Sequence, residues 1–428
     1  MEQLLQRVTC PHCWQKFPPE EILWIAEHND LLGDSMLSDA DPQRFLPTRF
    51  NVDGNAIDAK NFICSQLACP KCHLPVPRAA LELEPVFMSI TGAPASGKSV
   101  YLAAMVWELR RILGTTYSLA FTDSDTLTNQ KLNSYEERLF MNPDADELTP
   151  LGSLIEKTDA ATTGEMYNSV RYGNQTVDYP RPFLFTVLPN HTHPHADKAS
   201  QLGRLLTLYD NAGEHFQPGM DSSGSPVTRH MAEAASLMYV FDPTMDSRFR
   251  ELCQARPELR QTSGRDSYSI RQEPVLQEVA SRVRRHGRLR QSERHKKPLI
   301  VILTKYDLWY DLLEVDDNTE PWKEVATKPG DSSEKRFALD IPRIEAKSQE
   351  TRKLLLRVSP EIVNSAEGFA EEVLYVPVSS LGWATTVDSQ GMLSIRPADV
   401  YPFWVTVPIL YSFSRCLKGL VPVIRKKS

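Results

Sequence analysis

Six short apolar runs punctuate the chain from Pro85 onward: PVFMSITG, PFLFTVLP, RLLTLYD, SLMYVFD, PLIVILTKYD and EVLYVPVSS. Their apolar positions are nearly continuous, the pattern of strands buried on both faces. Between them lie segments with apolar residues at helical spacing, such as KSVYLAAMVWELRRIL and IEAKSQETRKLLLRV. Strands that alternate with helices predict an α/β domain whose mainly parallel sheet carries helices on both faces. The spacers are unequal. The first, at about 115–180, is far longer than a crossover needs, and MYNSVRYGNQTVDY within it reads as a hairpin turning at Gly173-Asn174. Further insertions are expected at about 244–297, polar and arginine-rich, and at about 311–370. Residues 1–82 have a different texture, with short polar stretches around an Asp/Pro-rich middle. The expected organisation is therefore a small module at 1–82 followed by an α/β domain at 83–428.

The stretch VYPFWVTVPILYSFS (400–414) is the most apolar and contains two prolines. It is too short to span a bilayer comfortably. It reads as the closing helix of the α/β domain, with a peripheral membrane contact through its aromatic face as the alternative. The N-terminal MEQLLQRVTC has neither an apolar core nor a small-residue cleavage site, so a cytoplasmic protein is expected.

With 41% hydrophobic and 24% charged residues in 428, the composition is that of an ordinary globular protein. A net charge of −7 argues against wholesale nucleic-acid binding. One stretch runs against it: RVRRHGRLRQSERHKK (282–297) has eight Lys/Arg and one acid. It is either a grip for nucleic acid or an acidic partner, or a solvated helix end, and no aromatics interleave to stack bases.

Seven cysteines cannot all pair. Four of them form CPHC (10–13) and CPKC (69–72), and thiolates at Cys10, Cys13, Cys69 and Cys72 suit a closed tetrahedral Zn²⁺ site of the ribbon type. The spacer 14–68 exceeds the usual ribbon, so 20–60 is read as an inserted excursion. Cys64, His12 and His73 are nearby alternates, and a redox Cys-x-x-Cys is the competing reading. A closed site is a fold staple or docking module, not a catalyst. Cys253 and Cys416 read as lone thiols.

GAPASGKS (92–99) follows a strand run and opens a helical pattern, the context that G-x-x-x-x-G-K-[ST] requires. Its chemistry is phosphate binding. Gly92, Ala93, Pro94, Ala95, Ser96, Gly97 and Val100 supply a backbone cradle at a helix N-terminus. Lys98 would reach the β- and γ-phosphates, and Ser99 would bind Mg²⁺. Three later strand ends point to GTP in preference to ATP. Asp210-x-x-Gly213 fits a carboxylate in the Mg²⁺ water shell and an N–H that senses γ-phosphate. In TKYD (304–307) Asp307 would accept from the guanine N1–H and amine, a pair adenine lacks. Lys305 would lie along the base, and Thr304 replaces the commoner asparagine. In VPVSSLG, Ser379, Ser380 and Leu381 would meet the guanine carbonyl. Glu214 stands where many GTPases carry a water-orienting glutamine, with His215 next to it; the bland alternative for both is a partner-contacting loop. A Mg²⁺-capping threonine is sought among Thr158, Thr162, Thr163 and Thr176; Thr176 falls in the hairpin and is disfavoured, and Thr158 is preferred to Thr162 and Thr163. Arg171 and Arg181 lie in the same insertion, but neither can be singled out as an arginine finger.

Together, CPHC, CPKC, GAPASGKS, YDNAGEHF, the VFDP strand end and TKYD resemble the translation-factor-related P-loop GTPases. More narrowly, the chain resembles the bacterial double-GTPase family with an N-terminal zinc ribbon. The resemblance covers about 1–420. It implies a P-loop GTPase fold and a GTP-dependent switch working beside a second GTPase in multi-gene bacterial systems linked to biological conflict, with GTP, Mg²⁺ and Zn²⁺ as cofactors. A nucleotide-binding scaffold with negligible turnover and an ATPase remain the alternatives.

Overall fold

The computed structural model describes residues 4–154, 167–211, 216, 229–253, 271–313, 319–325, 336–388 and 392–425. A seven-stranded mixed sheet forms its centre. In chain order the strands are β1 (Glu84–Gly92), β2 (Leu119–Asp123), β3 (Pro182–Pro189), β4 (Arg204–Asp210), β5 (Ser236–Phe241), β6 (Leu299–Leu303) and β7 (Val373–Pro377). Their spatial order is β2-β3-β4-β1-β5-β6-β7. Strands β4, β1, β5, β6 and β7 are mutually parallel, and β3 runs antiparallel to both its neighbours. All six apolar runs are therefore strands. The seventh, β2, has no counterpart among them. It is an edge strand that buries only Leu119 and Phe121, and two buried positions in five residues give too weak a period to read.

The main helices are α1 (Lys98–Tyr117), α2 (Thr126–Phe140), α3 (Glu273–Gly287), α4 (Ile341–Val358), α5 (Pro360–Phe369) and α6 (Val407–Cys416). Their ends follow local chemistry. Asp125 caps α2 by accepting from the N–H groups of Leu127 and Thr128, and Asp340 caps α4 through Arg343 N–H, with a proline in the first turn. Helix α6 buries Val407, Ile409, Leu410 and Phe413 completely. The segment 400–414 thus closes the core, as its apolar run suggested. Among the described residues, no helix is long and apolar enough to cross a membrane.

Two hydrophobic clusters meet across the sheet. The larger joins α1, α3, α4, α5 and α6 to the strands. The smaller joins Val8, Phe17, Trp24, Leu67 and Leu74 to the hairpin Tyr167–Tyr172/Gln175–Pro180 and to β4. Period two explains the division: along β4, Leu206 and Leu208 enter the first cluster, Leu205 and Tyr209 the second. The hairpin turns at Gly173, whose φ of +63° is left-handed. In the N-terminal region, Leu23–Ile25 pairs with Arg44–Phe45 and Leu67–Ala68, which in turn pairs with Pro75–Val76. The excursion between the cysteine pairs thus contributes Leu23–Ile25 and Arg44–Phe45 to one small four-stranded sheet, while Ala56–Ile57 and Ile63–Cys64 pair separately.

Candidate functional site

The chain leaves β1 toward β4 on one side and returns to β5 on the other. Such a reversal opens a crevice beyond the carboxyl ends of the strands, and residues 92–97 occupy it. Gly92 lies against β5, where an added Cβ would sit 2.4 Å from the Val240 carbonyl oxygen. Ala95 and Gly97 take left-handed φ values of +59° and +88°, just before α1 begins at Lys98. Alternating hand turns successive N–H groups to one side, toward the positive end of the helix dipole. The Lys98 ammonium donates to the carbonyls of Gly92 (3.0 Å) and Ala93 (2.9 Å), spanning the loop. Ser99 and Asp210 open onto one cavity of about 1200 Å³, whose far walls include His12, Arg44, Asp125 and Arg181.

The later strand ends converge on the same edge. The Thr304 hydroxyl lies within reach of the Ser96 carbonyl (3.3 Å) and the Phe241 carbonyl (3.4 Å), so the residue in place of asparagine still ties its loop to residues 92–99. Lys305 has φ +56°, and its ammonium lies 2.7 Å from the fully buried Asp242 carboxylate and donates to Thr244 Oγ1 at 3.2 Å. Asp307 is buried and accepts from Ser379 Oγ at 2.5 Å. Ser379 in turn accepts from the Gly382 N–H (2.9 Å). Tyr306 N–H bonds the Val378 carbonyl, and Trp309 Nε1 donates to the Thr304 carbonyl. Leu381 is buried and Ser380 half-buried beside them. The structure thus joins 304–307, 379–382 and 92–99. Thr158, Thr162, Thr163, Gly213, Glu214 and His215 lie outside the described residues. Thr176 pairs with Arg171 inside the hairpin, away from any loop role.

Asp242, Thr244 and Gln272 complete this end of the sheet without having been singled out individually. The Gln272 amide accepts from Asp242 N–H (3.0 Å) and donates to the Asp242 carbonyl (2.7 Å). The VFDP strand end carried a signal for Asp242, but nothing local marks Gln272, thirty residues later.

The four cysteines Cys10, Cys13, Cys69 and Cys72 come together, every sulfur within 4.8 Å of the others, and all are buried. Sulfurs 2.3 Å from a tetrahedral zinc lie about 3.8 Å apart. Cys10–Cys72 and Cys13–Cys69 lie at 3.7 and 3.8 Å, so the set fits such an ion. The two knuckles are near copies. In each, the N–H two residues after the first cysteine donates to its sulfur (3.3 Å), at His12 and Lys71. In each, the residue after the second cysteine is left-handed, at Trp14 and His73. Burial pushes the Cys10 and Cys72 thiols well above their ordinary range; a bound dication offsets that penalty by favouring thiolates. The alternates stand outside the cluster. His12 bonds the Pro75 carbonyl, and burial lowers its pKa to about 4. His73 bonds Asp34 at 2.9 Å, and Cys64 faces the Phe62 carbonyl.

Three of the eight cations in the basic stretch serve the fold. Arg282 pairs with Glu278 and covers the Phe216 ring, Arg284 bonds the Gly368 carbonyl, and Lys297 donates to the carbonyls of Ala232 and Glu233.

No protein-family model matches the chain. It is similar to a protein of Mycolicibacterium smegmatis named "Putative ESX-1 scaffolding and assembly protein SaeC", at 25% identity over 352 residues, covering 79% of this chain and 78% of that protein.

Proposed function

We propose that this chain is a GTP-binding and GTP-hydrolysing switch that engages protein partners according to its nucleotide. One observation carries the reading: the Thr304 hydroxyl reaches the Ser96 carbonyl while Ser379 holds Asp307. A loop suited to reading a base is thereby bonded to a loop suited to cradling phosphates, at neighbouring strand ends. A P-loop GTPase fold is consistent with the strand order and the single antiparallel strand β3. In this reading residues 92–100 hold the phosphates, and Ser99 and Asp210 hold Mg²⁺, with Thr158 as its cap. Lys98 offsets charge developing on the transferred phosphoryl group. Asp307 and Lys305 take the guanine, with Ser380 and Leu381 beside its carbonyl, and Gly213 senses the γ-phosphate. Glu214, with His215 next to it, orients the attacking water, and turnover is slow without a partner. The cysteine centre, with zinc, is a staple or docking module. Membership of the zinc-ribbon double-GTPase family and a cytoplasmic place belong to the same proposal.

The relative's printed name favours a second reading, a nucleotide-binding assembly scaffold with negligible turnover. Phosphate release with GTP and with ATP, on wild type, Glu214→Ala and Asp307→Asn, separates the readings. A switch gives GTP-selective release that Glu214→Ala alters and Asp307→Asn makes less selective. Tight GTP binding with no release from any variant selects the scaffold. Release from ATP that ignores Asp307→Asn selects an ATPase.

A further inference from the structure

We infer that the metal held by the cysteine cluster fixes the strand end that presents Asp210, so that the first knuckle forms part of the wall of the nucleotide site. The consequence for nucleotide binding rests on the function proposed above; the mechanical coupling does not. Tyr209 immediately precedes Asp210 and is fully buried. Its hydroxyl donates to the Pro11 carbonyl at 2.5 Å and accepts from Trp14 Nε1 at 2.8 Å. Pro11 lies between Cys10 and Cys13, and Trp14 follows Cys13 in the left-handed turn that closes the knuckle. Both partners of the tyrosine are therefore set by the conformation that brings the sulfurs together.

The other side of Asp210 is clamped as well. Asn211 Nδ2 donates to Ser89 Oγ (2.9 Å) and to the Ile90 carbonyl (2.8 Å), and Asn211 N–H bonds that carbonyl too. Ser89 and Ile90 belong to β1, three and two positions before Gly92. His230 closes the arrangement: its ring lies 4.4 Å from Tyr209 and 5.6 Å from Trp14, and its Nε2 lies 3.3 Å from Ser89 Oγ. Asp210 thus sits between one residue bonded to the knuckle and another bonded to β1, while it opens onto the cavity it shares with Ser99. Packing alone would be met by phenylalanine at 209. The hydroxyl is what satisfies two otherwise buried polar groups of the knuckle. Tyr209 and Trp14 are positioning residues, since neither touches the cavity where Asp210 and Ser99 meet.

Two measurements on the full chain test this. The first is independent of nucleotide: amide hydrogen exchange of 205–211 and 88–92, before and after the metal is removed with a zinc-selective chelator. Loss of protection at both strand ends is expected. Unchanged protection there, with the metal gone, overturns the coupling. The second is a Mg²⁺ titration at fixed fluorescent GTP analogue, comparing wild type with Tyr209→Phe at equal zinc content. Phenylalanine removes both hydrogen bonds that tie the strand end to the knuckle, and transmission of about 1.4 kcal/mol of that loss to Asp210 would raise the Mg²⁺ midpoint about tenfold. A midpoint within twofold of wild type, with thermal stability alone reduced, assigns Tyr209 a purely structural role and also overturns the inference. Absence of analogue binding by wild type sinks the nucleotide reading, and hydrogen exchange still decides the coupling.

Discussion

The loop 92–97 and the knuckle 10–14, proposed above to hold phosphate and a metal ion, are both tight turns with left-handed residues. They are held in opposite ways. The knuckle's backbone closes locally, with Trp14 N–H bonding the Cys10 carbonyl and Cys10 N–H the Gln15 carbonyl, and its hydrogen-bonded tie to the sheet is the side chain of Tyr209. The phosphate-type loop leans on distant strands, with Val240 crowding Gly92 and Thr304 reaching Ser96 across 208 positions. With a metal in the proposed site, a locally closed turn of this kind would depend on that ion for stability, whereas a loop braced by a sheet inherits the stability of the sheet. Local chemistry and long-range bracing should therefore respond to different perturbations.

The largest expected effect tests whether the two sites bind separately. Lys98→Ala should weaken binding of a fluorescent GTP analogue by about 100-fold or more, since charged hydrogen bonds contribute about 1.5–3 kcal/mol each. Zinc content, measured by elemental analysis, should stay unchanged; a parallel fall in zinc would break the contrast. Next, Gly92→Ala forces a methyl group against a backbone carbonyl that cannot rotate away. It should cost about 2–3 kcal/mol in denaturant unfolding, whereas alanine at the open Gly114 within α1 should be neutral or stabilise by up to about 1 kcal/mol.

The difference between wild type and His295→Gln across a pH series reports on the sheet, since His12 in the knuckle, also lowered to about 4 by burial, titrates in both proteins. Burial lowers the pKa of His295, stacked on Phe369 next to β6, to about 4. The folded value lies below the unfolded one, so the unfolded chain binds more protons as pH falls. This contribution is complete above about pH 6.5 and is lost progressively between there and pH 4, by about 2 kcal/mol from pH 7 to pH 5. His295→Gln should flatten the urea-midpoint profile over that range. An identical slope in both proteins would mean another group carries it. The smallest effect belongs to the brace. Thr304→Val should cost about 1 kcal/mol of loop support, seen as a roughly fivefold weaker GTP analogue with little change in melting.

The same distinction explains how much the sequence disclosed. The cysteine pairs, the glycine-lysine loop and six strands could be read because each announces itself within a few residues. The hairpin at Gly173 was visible for the same reason. Strand β2 was missed because an edge strand buries only one of its faces. Gln272 went unseen because its role depends on where the fold carries Asp242. The threonine at 304 looked like a departure until the Ser96 carbonyl was found within its reach. Nor could any spacing show that the cysteine module packs against Leu205 and Tyr209, since that contact arises only from the alternation of β4.

The bond between Trp14 and Tyr209 spans 195 residues, and this sets a timetable for synthesis. A ribosome adding roughly 5–20 residues per second leaves the knuckle waiting about 10–40 s for its partner strand. During that interval Trp14 and Phe17 face no sheet. A nascent chain that captured its ion early would hold the turn in shape until β4 emerged, whereas one starved of zinc would offer an unpaired apolar surface to whatever lay nearby. If zinc fills the proposed site, its limitation should therefore show first in the yield of newly made protein, before any loss from the pool already folded.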